Sequence, residues 1–330
     1  MIDSVLWNTF VKNHRNGNIF HTSLFAEFYS VALGYEVISA FLIDENDTLD
    51  GLILAVINKK QNSFVNYFTS RAIVSGGLLA RDNLSSIIEI LLNSINRQLK
   101  GKIVYVEIRN LNDNVINKSF FQSAGYFYRD HIDILIDLRK EEKELWDGMH
   151  PTRRKQIRRA KKRGVTTRIG IPDEKEVLYC YKLLAEVYKN AGVPLPCVDF
   201  FQKAILHLSV SNNLNCITAF AGGQIIGFRL FLLYNGLIYD WYAASDPVHY
   251  DKYPNDILPW DMIIWAKNNG YSVFDFGGAG NPNENYGVRD YKLKFGGTVH
   301  NFGRFIKVFR PGVFLVASFF YRNWIKYKSL

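Results

Sequence analysis

The 330-residue sequence predicts an α/β (α+β) chain made of two similar units, each a mixed, mostly antiparallel sheet flanked by helices. Length is the first observation, since ~100–200 residues usually make one domain. Composition is the second. Hydrophobic residues are 48% and aromatics 15% of the chain, enough for two packed cores. The third is a repeated order of elements. In each half two hairpin-linked strands precede a longer helix. A short buried strand follows (IVYVEI, then SVFDF), then a polar loop (RNLND, then GGAGNPN), a short helix and a long final strand. A repeat of this length indicates duplication of a domain, not a solenoid.

In the first half, Ser23–Leu33 reads as a helix, and Tyr35–Ile43 and Leu52–Ile57 as strands joined by the acidic turn Asp44-Glu45-Asn46-Asp47. Phe64–Phe68 and Ala72–Ser75 read as further strand. Leu84, Ile87, Ile88, Leu91, Leu92, Ile95 and Leu99 recur at helical spacing, with Asn83 as the expected N-cap. Ile103–Ile108 reads as a buried strand, Val115–Ala124 as a helix ended by Gly125, and Tyr126–Leu138 as one strand. The expected first domain is 1–140 with a C-terminal helix over 311–330 packed back on it, and the second is 141–310.

The second half opens on a helix with Pro151 in its first turn and Gly164 at its end. Helices Glu174–Asn190 and Asp199–Ser209 follow. Strands Leu214–Phe220, Ile225–Leu233 and Leu237–Ala243 are separated by Gly222-Gly223 and Asn235-Gly236, both hairpin signals. Asp256–Asn268 reads as a helix, and Val273–Phe276 and Val299–Phe309 as strands.

The net charge of +9 is concentrated in one place. Between Arg153 and Arg163 the run RRKQIRRAKKR holds eight basic residues and no acid; without it the chain is nearly neutral. Ile157 and Ala160 mark the packed side of this helix. Arg153, Arg154, Lys155, Arg158, Arg159 and Lys162 are its candidate polyanion contacts, which tRNA phosphates would satisfy. The bland alternative is a solvated helix that serves solubility. Three cysteines without CxxC spacing and seven scattered histidines indicate neither a disulfide frame nor a metal site. The N-terminus lacks a signal-peptide pattern and no run approaches ~20 apolar residues, so the expectation is a cytoplasmic monomer.

The stretch Phe274–Gly297, FDFGGAGNPNENYGVRDYKLKFGG, is the richest in chemistry. A strand ends in glycines that permit positive φ or close approach. Arg289, Lys292 and Lys294 then follow within six residues, among Tyr286, Tyr291 and Phe295. A cation there suits an anionic group or the oxyanion of acyl transfer. A glycine turn before a solvated basic helix is the alternative. Arg229, inside the apolar strand GFRLFLLY, has two readings: pairing with an acid of a neighbouring strand, Asp240, or substrate binding in an interdomain cleft. For Glu107 and Arg109 the expectation is a structural ion pair.

The order of elements resembles the GNAT acyltransferase fold. The Gly-rich loop, Tyr-Gly-Val, aromatic-Lys and Phe-Gly pattern resembles the C-terminal signature of the FemAB/FemX family; Met149–Val165, NIFHTSLFAEFYS and RAIVSGGLL are also similar to it. Those enzymes pass an amino acid from aminoacyl-tRNA to an amine of a peptidoglycan precursor. The resemblance implies aminoacyl-tRNA as donor substrate, no cofactor, and a cell-envelope acceptor, lipid-linked in one variant. Direct attack of the amine on the ester makes the site chiefly a positioning device. The resemblance implies Tyr291 and Lys292 as the catalytic pair, with Lys292 stabilising the oxyanion or binding the tRNA end. Arg229, Arg289, Lys294, Tyr286, Gly277 and Gly278 are its implied substrate contacts. Where family members carry Trp and, four residues on, a phosphate-binding Lys, this chain has Phe25 and Tyr29, which argues against a nucleotide-diphosphate acceptor.

Two other functions stay open. An acyl-CoA-dependent N-acyltransferase would show a Gly-rich pyrophosphate loop before a helix. The nearest match, Gln224–Arg229, falls in a strand. A non-catalytic RNA- or membrane-binding protein would use the basic helix, or the aromatic, basic tail Pro311–Leu330 on the inner membrane surface.

Overall fold

The computed structural model describes residues 2–59, 63–112 and 118–328. The chain forms two compact units, Met1–His131 with Asn301–Leu330, and Ile132–His300. The first contains α1 (Ser4–Asn13), α2 (Ser23–Val31), β1 (Tyr35–Ile43), β2 (Leu49–Asn58), α3 (Ser63–Thr69), β3 (Arg71–Gly76), β4 (Leu78–Ala80), α4 (Ser85–Leu99), β5 (Tyr105–Asn110), α5 (Lys118–Ser123) and β6 (Phe127–Arg129). The second begins with β7 (Ile132–Asp137), α6 (Glu142–Gly148), α7 (Pro151–Lys162), β8 (Thr166–Gly170), α8 (Glu174–Ala191) and α9 (Val198–Leu208). It continues through β9 (Leu214–Ala221), β10 (Gln224–Tyr234), β11 (Leu237–Ser245), α10 (Pro254–Asn268), β12 (Val273–Gly278), α11 (Gly287–Leu293) and β13 (Thr298–Asn301). The chain then returns to the first unit as β14 (Arg304–Val308) and α12 (Pro311–Lys328).

Each unit is a mixed sheet with helices, as the repeat predicts. The first sheet runs β1-β2-β3-β5-β14-β6, with β4 also on β2; the second runs β13-β7-β12-β11-β10-β9-β8. The pairings are mostly antiparallel; β3 with β5 in the first unit and β11 with β12 in the second are parallel. In the first unit α4 lays Ile88, Leu91, Leu92 and Ile95 into one cluster with Ile53, Ala55, Val74 and Val106 of the sheet. Each of the isoleucine, leucine and valine side chains, fully buried, contributes ~1.5–3 kcal/mol. In the second unit α7 and α10 cover one sheet face, with Ile157, Ala160, Trp260 and Ile263 against Ile134, Ile217, Phe231 and Phe274.

Local chemistry explains the turns. The Asp44 carboxylate accepts from the Asn46 and Thr48 N–H groups at 2.9 and 2.8 Å, fixing the β1–β2 turn. Asn235 and Gly236, at φ +43° and +75°, supply the left-handed pair that the β10–β11 hairpin needs. Pro151 stands at the start of α7, and Gly164 at φ +73° follows its end.

The differences from the sequence reading have physical causes. Tyr126–Leu138 is not one strand. It breaks at Asp130-His131, so β6 joins the first sheet and β7 the second. Val299–Phe309 likewise breaks at Phe302-Gly303, with Gly303 at φ +67°, into β13 and β14. The units therefore change over at 131/132 and 300/301, earlier than the expected 140/141 and 310/311. Phe64–Phe68, read as a strand from its aromatic and β-branched content, lies in α3. Leu84, not Asn83, caps α4, without a side-chain bond. Residues 115–117 of the expected helix Val115–Ala124 lie outside the described residues, and α5 begins at Lys118.

Candidate functional site

The two parallel strand pairs hold equivalent places in the repeat and differ in one respect. In the first unit the β3–β5 ladder runs through six residue pairs, from Arg71 with Tyr105 to Gly76 with Asn110. In the second unit β11 pairs with β12 only from Leu237 with Val273 to Tyr239 with Asp275. Both strands run on, to Ser245 and Gly278, with no ladder between them. A bulge on β12 between Asp275 and Gly278, with Gly277 at φ +68°, accompanies the change. Such a crevice at the carboxyl ends of parallel strands is where α/β folds place ligands.

Charged side chains gather at that point. Arg229 of β10 donates to the Asp240 carboxylate of β11, and both side chains are only 6% exposed. Arg229 also donates through Nη2 to the Tyr291 hydroxyl at 2.9 Å, and that hydroxyl donates to the Asn255 carbonyl. Burial disfavours charge on both members of the ion pair. The neighbouring Asp240 and Tyr291 more than offset this for Arg229, which holds its proton more firmly than usual. For Asp240, burial outweighs Arg229 and Lys292, and its pKa lies above the ordinary carboxylate value. Burial pushes Tyr291 up to about 12, so it acts as a neutral hydroxyl. Arg153 of α7 pairs with Asp256 of α10 and lies over the Tyr291 and Phe295 rings, 5.0 and 5.8 Å from their centroids. Asp240 Oδ1, Arg229 Nε and Arg153 Nε are buried and have no hydrogen-bond partner among the described residues.

Lys292 sits beside this network. Its amine donates to the carbonyls of Phe276, Gly277 and Gly278 at 2.5, 3.3 and 2.9 Å. An ammonium has three N–H donors, and these three oxygens occupy them. Burial lowers the Lys292 pKa, against the attraction of Asp240, Asp275 and Asp133. Asp275, 1% exposed, accepts from the Gly277 N–H at 2.6 Å. Burial, then the nearby Asp133 carboxylate, raise its pKa well above the ordinary value. Lys292 and Asp275 thus hold the Phe276–Gly278 backbone from its carbonyl and amide sides.

The other expected site residues divide. Gly277 and Gly278 belong to the clamped segment. Arg289 instead ties the following loop, donating to the carbonyls of Asn281 (2.8 Å) and Glu284. Tyr286 is exposed, and its ring closes over Gly280, where an added Cβ would meet it at 3.0 Å. The Lys294 side chain faces solvent, and its carbonyl accepts from the His150 N–H at 2.9 Å. On α7, Arg153 points inward. Arg154 pairs with Asp147, Arg158 lies 5.2 Å over the Trp146 ring, and Arg159 bonds the Tyr253 hydroxyl at 3.3 Å. Lys155 and Lys162 are exposed and form no ion pair among the described residues.

Sequence reasoning missed the acids Asp133, Asp256 and Asp275. The signal was present: each interrupts an otherwise apolar run, in IDIL, NDIL and VFDF. Phe25 and Tyr29 lie in an aromatic group with Tyr35, Tyr29 being 5.0 Å from each of the other two rings. Glu107 pairs with Arg109 at 2.8 Å and also with Arg304. A cavity of about 560 Å³ in the first unit lies between Phe10, His14, Leu49 and Arg81, and contains none of the expected site residues.

Residues 151–293 match the family model of the acetyltransferase (GNAT) domain. No curated protein matches the sequence. Among solved structures, FemX is similar over 96% of this chain and 98% of its own, with a TM-score of 0.73 at 15% identity. L-PGS from Bacillus licheniformis is similar over 96% of both chains, with a TM-score of 0.58 at 16% identity. A tandem GNAT protein from the clavulanic acid biosynthesis pathway covers 84% of this chain and 83% of its own, with a TM-score of 0.52 at 9% identity. The chain has the fold of FemX, two GNAT-like units in tandem, and the match to the acetyltransferase domain falls on the unit whose parallel strands part.

Proposed function

We propose that this chain, of the FemX fold and with an acetyltransferase-type domain over residues 151–293, transfers an aminoacyl group from aminoacyl-tRNA to an amine of a peptidoglycan or other cell-envelope precursor. The observation that carries the reading is the open β11–β12 pair, flanked by Arg229, Asp240, Tyr291 and Lys292, where the equivalent pair of the first unit stays closed. In this reading the amine nitrogen attacks the ester carbonyl carbon, a C–N bond forms, and the bond to the ribose oxygen breaks. The proton lost by the amine ends on the released ribose hydroxyl. The protein's part is to hold both substrates in reach and to fix the dipoles around the developing oxyanion.

Lys292 serves this as a positioning residue. To bind the oxyanion directly, its ammonium would have to leave the three carbonyls it holds. Tyr291 positions Arg229 in the same way. Lys155, Arg158, Arg159 and Lys162 of α7 are the exposed cations offered to tRNA phosphates, with Arg154 partly engaged by Asp147. Arg153 supports the site from within. Arg289, Lys294 and Tyr286 flank the substrate from the 281–294 segment. The setting we propose is the cytoplasm, with the protein acting as a monomer.

Support for tRNA over acyl-CoA as donor comes from the start of α10. A pyrophosphate cradle needs free N–H groups and no negative charge at a helix N-terminus. Here Pro254 lacks an N–H, and Asp256 in the first turn is committed to Arg153. The second reading, an acyl-CoA-dependent N-acyltransferase of a sugar or polysaccharide intermediate, is favoured by the description of the matching family model. The test is to incubate the purified chain with labelled aminoacyl-tRNA or labelled acetyl-CoA and candidate amine acceptors. Label reaching the amine from charged tRNA supports the reading; turnover of acetyl-CoA with no tRNA-dependent transfer overturns it.

A further inference from the structure

The cavity of about 560 Å³ in the first unit has an apolar floor and a polar rim. Leu49 and Ala80 are buried at its base. Leu6, Thr9, Phe10 and Asn13 of α1 line one wall at the spacing of a single helical face, while Trp7 and Val11 of the same helix are buried. Leu6 and Phe10 are half-buried, and Thr9 and Asn13 open to solvent. The volume falls in the range of about 300–1,000 Å³ that small ligands occupy.

Most of the polar groups around it are already engaged. Arg81 pairs with Asp44 and Asp50 at 3.3 and 2.9 Å. His14 accepts the Asn16 N–H through Nδ1 at 3.1 Å, so its Nε2–H donates to the Ala80 carbonyl at 3.0 Å; burial lowers its pKa and keeps the ring neutral. Arg15, after α1, and Asp82, after β4, are exposed at the rim and form no ion pair among the described residues. Both reach the His14 ring electrostatically, Arg15 opposing a charge there and Asp82 favouring it. One free cation and one free acid give no surplus of positive charge for a phosphate or a nucleotide. A bare hydrocarbon would leave the Thr9 hydroxyl and the Asn13 amide covered and unpaired. A peptide with free termini satisfies every part. Its apolar side chains take the floor, its end charges meet Arg15 and Asp82, and its peptide groups suit Asn13, whose amide both donates and accepts. Two or three residues span about 7–11 Å when extended, which suits a cavity of this size.

We propose that this cavity binds a short zwitterionic peptide with apolar side chains, its carboxylate held by Arg15 and its ammonium by Asp82. The site lies wholly in the first unit and stands independently of the transferase reading.

The test is isothermal titration calorimetry of the full chain with dileucine, compared with its N-acetyl and C-amide forms and with diglycine. Saturable binding of dileucine is expected. Diglycine should bind about tenfold or more weakly, having no side chains for the floor. Each capped form should bind about threefold more weakly than dileucine, the scale of an exposed ion pair. Arg15→Gln should abolish the difference between dileucine and its C-amide alone, and Asp82→Asn the difference from the N-acetyl form alone. Asparagine adopts the φ of +51° found at Asp82, so the turn is kept. Thr9→Trp, at an exposed position, should fill the cavity and weaken dileucine about tenfold or more at unchanged melting temperature. If Thr9→Trp melts lower, the Arg15 and Asp82 variants decide. Absence of dileucine binding, equal binding of diglycine or of the capped forms, or displacement by inorganic pyrophosphate overturns the proposal. So does binding that survives in a Thr9→Trp chain of unchanged melting temperature.

Discussion

Replacing Lys292 by Met separates a positioning role from direct action on the acyl carbonyl. The methionine fills the same channel but removes a buried ammonium that serves three carbonyls and lies near Asp240 and Asp275. Hydrogen bonds to a charged group are worth ~1.5–3 kcal/mol each, and removing one member of a buried charged set costs ~3–5 kcal/mol. Burial already taxes the Lys292 charge, as its lowered pKa indicates, so the lower end applies, about 3 kcal/mol. For a unit the size of Ile132–His300 this corresponds to a melting temperature lower by ~6–12 °C. Scanning calorimetry reads the loss, and turnover measured well below the transition is expected to fall with it as the Phe276–Gly278 segment loosens. A Lys292→Met protein that melts within ~2 °C of the parent yet loses ~10³-fold in rate would refute the reasoning, placing the ammonium on the reacting group instead.

Three further outcomes follow from the same geometry. Arg229→Ala leaves Asp240 buried without its cation and should cost ~3–5 kcal/mol in urea denaturation; adding Asp240→Asn should recover part of it, and simple additivity would contradict the pairing. Burial pushes the Glu107 pKa up, but Arg109 and Arg304 more than reverse this and hold it at about 2, below its unfolded value. Its stabilisation is therefore present at neutral pH and lost as pH falls from ~4.5 toward 2; Glu107→Gln should cost about 3 kcal/mol at pH 7 and little near pH 2, read from melting across pH. Exchanging Lys155 and Lys162 for Glu should weaken tRNA binding about tenfold or more and reduce its salt slope by about two, with melting unchanged; binding unaffected in filter assays would remove α7 from the tRNA surface.

The order of elements was legible because its signals are local. Asn235-Gly236 makes a hairpin wherever it stands between apolar strands, and Pro151 with Gly164 brackets a helix. The splits at Asp130-His131 and Phe302-Gly303 were not legible, because alternation continues across both breaks and only the choice of sheet separates β6 from β7. The aromatic run at Phe64–Phe68 misled for a related reason: β-propensity describes fit to a half-buried surface, and tertiary context chose a helix. In the site, pairing of Arg229 with Asp240 followed from the cost of a lone buried charge. The inward turn of Arg153 was readable but unread. It stands four and seven residues before Ile157 and Ala160, on the buried stripe of its own helix. What Lys292 holds was beyond the sequence, since the carbonyls of a strand end carry no residue-specific signal.

The most direct test of the account is hydrogen exchange on the intact chain, with and without a stable amide analogue of an aminoacylated tRNA 3′ end. The account predicts new protection along Asp240–Ser245 and Phe276–Gly280, on the two sides of the opened strand pair. Protection confined to residues of the first unit, or produced there equally by CoA, would contradict it.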